Sequence, residues 1–388
     1  MIKSSFYTPE RRQPGPDKLR LPLTLKYKED GIGIVATPHI QNNRCILEGP
    51  GRSLICLDNE TFSPKWKTSE GEWSDRPVSC NSLLFIKYHK TAEIVIINIE
   101  TGERIRIEER LGVLDQVAIN GRMFFFRIMR SDKQHTYKII CKECDSYETV
   151  WEFGIANTFA ANAFSADHAN VIIKSDENEI ICLNAHNGEI NWQLGPLDTG
   201  LFLDQRELEL MENDIPEKGL YNLKRTTGYP TIFEDKIITP MFGNRLVALD
   251  LTTGKVLWVV QSEQTHNFTR QSYGHEIYTM GKGYIEAWDM RSGKQTRSVK
   301  INVGDYADKV TAGAWNFTVS ETHIYAVVPN VFYAVNKETG LVEWAYEPGK
   351  EIREDDQPYI ANGRIYFRTL GGLYVFEGAD GYLPPEAA

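Results

Sequence analysis

The chain has 388 residues, 41% of them hydrophobic, 11% aromatic and 25% charged, with a formal net charge of −10. That much apolar material builds a core, which excludes a disordered chain or a disulfide-stapled miniprotein. The negative balance disfavours direct nucleic-acid binding and favours a basic protein partner, and no apolar run approaches the roughly 18 residues of a membrane-spanning helix.

The first twelve residues lack the apolar region of a secretory signal, which predicts a cytoplasmic protein. Residues 1–20, with Pro9, Pro14 and Pro16, are expected to form an irregular tail. Leu21-Pro22-Leu23-Thr24-Leu25-Lys26-Tyr27-Lys28 then alternates as a strand does. Gly31-Ile32-Gly33-Ile34-Val35-Ala36 imitates a dinucleotide-binding loop, but Thr37-Pro38 stops the helix such a loop needs, so it is read as a strand entrance.

A phrase recurs from there on: an Asp, Asn or Glu ends an apolar strand, a Gly follows four residues later, and a Trp four after that. In chain order the copies begin at Asp58, Asn98, Glu143, Asn184, Asp250, Asp289, Asn336 and Glu377. Trp66, Trp151, Trp192, Trp258 and Trp344 fill the Trp position, Arg106 and Arg297 replace it twice, and the last copy stops at Gly381. Phe62 and Tyr147 stand where Gly belongs in the first and third copies. The phrase reads as a hairpin, with the Asp or Asn capping turn N–H groups and the Gly supplying a positive φ.

Two further strand-like stretches precede each hairpin, as Thr231-Ile232-Phe233 and Lys236-Ile237-Ile238-Thr239 precede Leu246-Val247-Ala248-Leu249. Four strands per unit at a period near 40–47 residues mark a β-propeller. Eight copies predict an all-β, eight-bladed β-propeller of four-stranded antiparallel blades over residues 21–381, with a C-terminal tail at 382–388. The last unit supplies three strands, so 21–28 is expected to close the ring by pairing with Leu373–Phe376.

The period breaks once, between Asn184 and Asp250, where residues 195–228 form an insertion between blades 4 and 5. Asp198, Asp204, Glu207, Glu209, Glu212, Asp214 and Glu217 outnumber Arg206 and Lys218 there, with Phe202, Leu203 and Met211 as apolar anchors. The connection from blade 7 to blade 8 adds Glu351, Glu354, Asp355 and Asp356. Two acidic loops on one propeller face predict capture of a basic partner. Cysteines 45, 56, 80, 141, 144 and 182 are expected to be reduced and buried; the Cys141-x-x-Cys144 spacing has no second pair to complete a zinc site. None of the eight histidines falls at metalloprotease spacing, and no Walker loop or nucleophile elbow is present.

The repeats Asp250-x-x-Thr253-Gly254-x-x-x-Trp258 and Asn336-x-x-Thr339-Gly340-x-x-x-Trp344 resemble the tryptophan-docking repeat of pyrroloquinoline-quinone-like, quinoprotein dehydrogenase-type propellers. The resemblance implies that each Trp packs between adjacent blades. Enzymes of that family carry an adjacent Cys-Cys pair and a calcium held by carboxylate and amide; the chain has no such pair, so no cofactor, metal or catalytic residue is expected. The resulting expectation is a non-enzymatic, monomeric protein-binding propeller. Its most specific form is an immunity-type inhibitor that neutralises a basic toxin such as a nuclease. The alternatives are a scaffold similar to the propeller lipoprotein of outer-membrane β-barrel assembly, and a quinone-dependent dehydrogenase.

Overall fold

The computed structural model describes residues 19–30, 38–41, 43–48, 53–68, 77–87, 94–108, 113–119, 121–130, 135–155, 161–175, 179–195, 230–241, 245–262, 270–281, 283–308, 310, 316–328, 330–349, 352, 357–369 and 372–383. These residues form eight four-stranded antiparallel sheets. Sheets 1 to 7 each take four consecutive strands, within residues 39–67, 78–108, 113–155, 161–194, 231–261, 270–300 and 316–346. Sheet 8 consists of Tyr359–Ala361, Arg364–Thr369 and Gly372–Glu377, with Thr24–Asp30 as its outer strand. That strand pairs from Thr24 opposite Glu377 to Asp30 opposite Gly372.

The sequence explains which strand takes which place. Third strands such as Ile94–Asn98 and Ile180–Asn184 are continuous β-branched and aliphatic runs, and four of five residues in each are buried. Both of their faces are covered. The outer strand Val256–Gln261 instead alternates half-buried and exposed positions, as a one-sided strand does. Just past each hairpin the pairing slips, between Cys56 and Leu57, Ile96 and Ile97, Cys141 and Lys142, Cys182 and Leu183, Ala248 and Leu249, and Ala334 and Val335. The same bulge at the same place makes the units structurally equivalent.

Backbone contacts divide the chain into two compact units. One comprises Met1–Glu10, Gly112–Phe268 and Trp288–Gln295, and holds sheets 3 to 5 with the turn of sheet 6. The other comprises Arg11–Leu111, Thr269–Ala287 and Thr296–Ala388. In the second unit, Leu19 is already buried in a cluster with Phe332, Phe367 and Phe376, and the Tyr325 hydroxyl donates to its carbonyl at 3.2 Å. Leu19, within the stretch assigned to the tail, is thus packed into the core, although the strand itself starts at Thr24 rather than Leu21.

The expectation of six reduced thiols is corrected: Cys80 and Cys144 are disulfide-bonded. Cys45, Cys56, Cys141 and Cys182 are free and buried.

Candidate protein-interaction surface

Each turn is built by its first residue. Asp58 Oδ1 accepts the backbone N–H groups of Glu60 at 3.1 Å and Thr61 at 2.9 Å, and Asp250 Oδ1 accepts those of Thr252 at 3.1 Å and Thr253 at 2.7 Å. Asn98, Asn184, Asp289 and Asn336 cap their turns in the same way. Burial opposes ionisation of Asp58, but the bonds from Thr61, Lys65 and Glu60 prevail and hold its carboxyl down to about 2.

The turn closes on a residue of positive φ, Gly in most copies and Phe62 or Tyr147, both at 59°, in two. These turns receive the tryptophans of the preceding sheet. The Trp66 indole N–H donates to Ile99 O at 2.8 Å, Trp151 to Ala185 O at 3.0 Å and Trp192 to Leu251 O at 2.9 Å. Their rings lie on Gly102, Gly188 and Gly254, and that of Trp258 on Gly293.

Among the described residues three joints depart from this pattern. Tyr27, on the outer strand of sheet 8, stacks on Phe62 with centroids 4.6 Å apart. Arg297 replaces Trp in sheet 6 and binds Glu338 of the next turn at 2.5 and 3.0 Å, and Glu276 of its own sheet. Trp344 packs edge-on against Phe332 and Phe376 at 5.6 and 5.2 Å. At the joint of sheets 8 and 1, buried Arg364 binds Glu377 at 2.7 and 3.0 Å and the carbonyls of Asn59 and Glu60, between the rings of Phe62 and Tyr382. Neither arginine is recognisable as a joint residue from the hairpin phrase alone. Arg297 was findable from its place in the repeat; Arg364 lies outside the phrase.

The free thiols are not poised for chemistry. Burial pushes Cys182 up to about 11 and Cys56 and Cys141 up to about 12, and Cys45 higher still. Cys141 is free while Cys144 is disulfide-bonded, so the Cys-x-x-Cys spacing builds no joint site. Among the described residues no three His, Cys, Asp or Glu side chains come together as metal ligands, and no helix is long and apolar enough to cross a membrane.

The residues assigned to the partner, from Asp198 to Glu217 and Glu351, Glu354, Asp355 and Asp356, lie outside the described residues, as does the 31–36 loop. The described neighbours of these segments are Gly195, Pro230, Ile352 and Gln357; Ile352 is buried and Gln357 donates to Phe317 O at 2.8 Å.

A family model described as outer membrane protein assembly factor BamB matches residues 143–302 and 281–383. BamB from Moraxella catarrhalis superposes with a TM-score of 0.63 at 12% identity, over 92% of this chain and 99% of that one. Quinohemoprotein alcohol dehydrogenase from Comamonas testosteroni gives 0.62 at 10%, over 98% and 81%. The computationally designed protein Ika8 gives 0.65 at 10%, over 90% and 98%. At such identities these likenesses establish the fold alone. An uncharacterized Rickettsia conorii protein, RC0314, is 23% identical over 192 residues, 45% of this chain, and the chain spans 40% of that relative's length. Because the family model covers more than half of the 388 residues, the chain belongs to the pyrroloquinoline-quinone-like β-propeller family that includes the assembly factor BamB.

Proposed function

We propose that the chain is a non-enzymatic, eight-bladed protein-binding propeller that serves as an assembly scaffold. The observation that carries this reading is the match to a family described by an assembly factor. The joints add support, since the repeated tryptophans and the free cysteines are taken up in packing. The chain lacks the adjacent Cys-Cys pair that the quinone-dependent dehydrogenases of similar fold carry, which speaks against a quinone enzyme. The disulfide-bonded Cys80 and Cys144 favour an oxidising compartment over the cytoplasm.

A second reading, an immunity-type inhibitor of a basic toxin held in the cytoplasm, draws on the net charge of −10 and the carboxylates between Asp198 and Glu217. Affinity purification of the full chain and of a 198–218 deletion from the native host separates the two. An outer-membrane assembly protein as the stoichiometric partner supports the scaffold, and a basic toxin domain lost on deletion supports the inhibitor. Absence of any stoichiometric partner overturns both. Dye-linked alcohol oxidation on adding quinone and calcium overturns the non-enzymatic assignment.

A further inference from the structure

In sheets 1 to 7 the outer strand follows its neighbour through a short turn, whereas Thr24–Asp30 comes to sheet 8 from the opposite end of the chain. Thr24, Leu25, Lys26 and Lys28 are exposed and Tyr27 and Glu29 half-buried, so little apolar area fastens this strand. Its flanks are held: Leu19 and Leu23 are buried before it, the Ala379 N–H donates to Arg20 O at 2.9 Å, and sheet 1 begins at His39 after it. Such a strap opens without unfolding a sheet. Its pairing slips between Leu25 and Tyr27, and Lys26, at the slip, reaches Glu377 Oε1 at 2.8 Å. Glu377 Oε2 accepts Arg364 at 2.7 and 3.0 Å. The Arg364 side chain is only 5% exposed, and it donates to the carbonyls of Asn59 and Glu60 on the first turn of sheet 1. One carboxylate therefore joins a lysine of the strap to the buried arginine where sheets 8 and 1 meet.

We propose that Glu377 is an acid-sensitive latch: ionised, it holds the strap Thr24–Asp30 to sheet 8, and protonated, it lets the strap open. Protonation takes the anion away from Lys26 and leaves Arg364 buried without its carboxylate. Burial opposes ionisation of Glu377, but the bonds from Lys26 and Arg364 prevail and hold its carboxyl below the ordinary range. The latch is therefore fully closed above an unfolded pKa near about 4.3 and loosens as pH falls through the lower folded value. The surrounding groups do not share this role. Asp58, held down to about 2 against its burial, stays ionised where Glu377 titrates. Burial pushes up Cys45, Tyr366 and Tyr382, which stay neutral. Glu60 is exposed on its turn, Asp380 pairs with Arg20 at 3.5 Å, and Glu29 accepts the Tyr27 hydroxyl at 2.9 Å. The device is independent of the partner proposed above.

Hydrogen exchange of the full chain, corrected for the intrinsic rate at each pH, tests it. From about pH 6 to about pH 3 the protection of residues 24–30 should fall at least about tenfold while Arg245–Asp250 of sheet 5 stays protected. Glu377→Gln should show the lowered protection already at pH 6 and no further fall. Lys26→Gln leaves the buried pair intact and should lose about two- to fivefold in residues 24–30 at pH 6, with unchanged exchange in Arg364–Thr369; it decides the matter if Glu377→Gln does not fold. A strap that stays protected in acid, or that loses protection only together with sheet 5, overturns the proposal. So does wild-type protection at pH 6 in either variant, or an acid-induced fall that persists in Glu377→Gln.

Discussion

A Cβ added to Gly102 would lie 2.5 Å from Cδ2 of Trp66, the tryptophan of the preceding sheet. In four turns the glycine thus answers to the Trp before it in the chain, not to the residue four positions after it, whereas Gly381, which follows Trp344, has nothing within 4 Å. Gly188 stands in this relation to Trp151 at 2.6 Å, and Gly254 and Gly293 to Trp192 and Trp258 at 2.7 Å. Phe62 occupies the Gly position in a turn that receives Tyr27 instead of Trp. Gly340 follows Arg297, yet a side chain there would strike the Lys300 carbonyl, so glycine is retained.

This relation makes Gly102→Ala costly twice over, through its φ of 72° and through the clash. The loss should be about 2–5 kcal/mol. Gly121, with φ of 75° and nothing within 4 Å of its would-be Cβ, isolates the backbone cost. Gly121→Ala should lose only about 1–2 kcal/mol. Urea midpoints of the two variants, and of Gly102→Ala in a Trp66→Ala background where the clash is relieved, check the assignment. Equal losses in all three would discard it.

The indole N–H provides a finer test. Trp192 donates to Leu251 O at 2.9 Å, whereas the buried Trp258 Nε1 has no hydrogen-bond partner among the described residues. Both rings pack on glycine, so phenylalanine removes similar ring area from each. Trp192→Phe should therefore cost about 1 kcal/mol more than Trp258→Phe, because it leaves a carbonyl short of its donor. Chemical denaturation of the pair reads the difference directly.

The repeat was legible because each turn needs an Asp or Asn cap and a positive φ, and both are local demands written into adjacent residues. The strand Thr24–Asp30 was legible for a related reason: its alternation is local, and the last unit lacks a fourth strand. What escaped were relations between units. The Gly-to-Trp pairing runs from one repeat to the next, so a phrase read within one repeat attaches Gly102 to Arg106 rather than to Trp66. Arg364 gathers Glu377, Asn59, Phe62 and Tyr382 from opposite ends of the chain, and no spacing announces that.

The cysteines give a count that can be checked in one titration. With Cys80 and Cys144 oxidised, protein unfolded in denaturant should yield four reactive thiols, and six after reduction. The native protein should react slowly at neutral pH, since all four free thiols are buried and three are pushed to between about 11 and about 12. Six thiols before reduction, in protein from the native host, would remove the argument for an oxidising compartment.

The joint between sheets 6 and 7 should respond to pH where the tryptophan joints do not. Arg297 meets Glu338, whose side chain is 59% exposed, and Glu276, whose side chain is 12% exposed and which also accepts the Tyr278 hydroxyl at 2.5 Å. Losing the exposed partner in Glu338→Gln should cost under about 1 kcal/mol. Arg297→Ala strands a buried carboxylate and should cost about 3–5 kcal/mol at neutral pH. Burial raises the Glu276 pKa, but hydrogen bonds from Tyr278, Thr296 and Arg297 outweigh it and leave the carboxyl below its ordinary value. In the wild type this group therefore stabilises the fold fully above an unfolded pKa near about 4.3, and the contribution fades as pH falls through the lower folded value. In Arg297→Ala the burial remains while the cation is gone, so the sign reverses: the penalty stands at neutral pH and is relieved as Glu276 protonates. The gap in urea midpoint between wild type and Arg297→Ala should consequently narrow from pH 7 to about pH 4, and a gap that stays constant across that range would show that Glu276 is not held by Arg297.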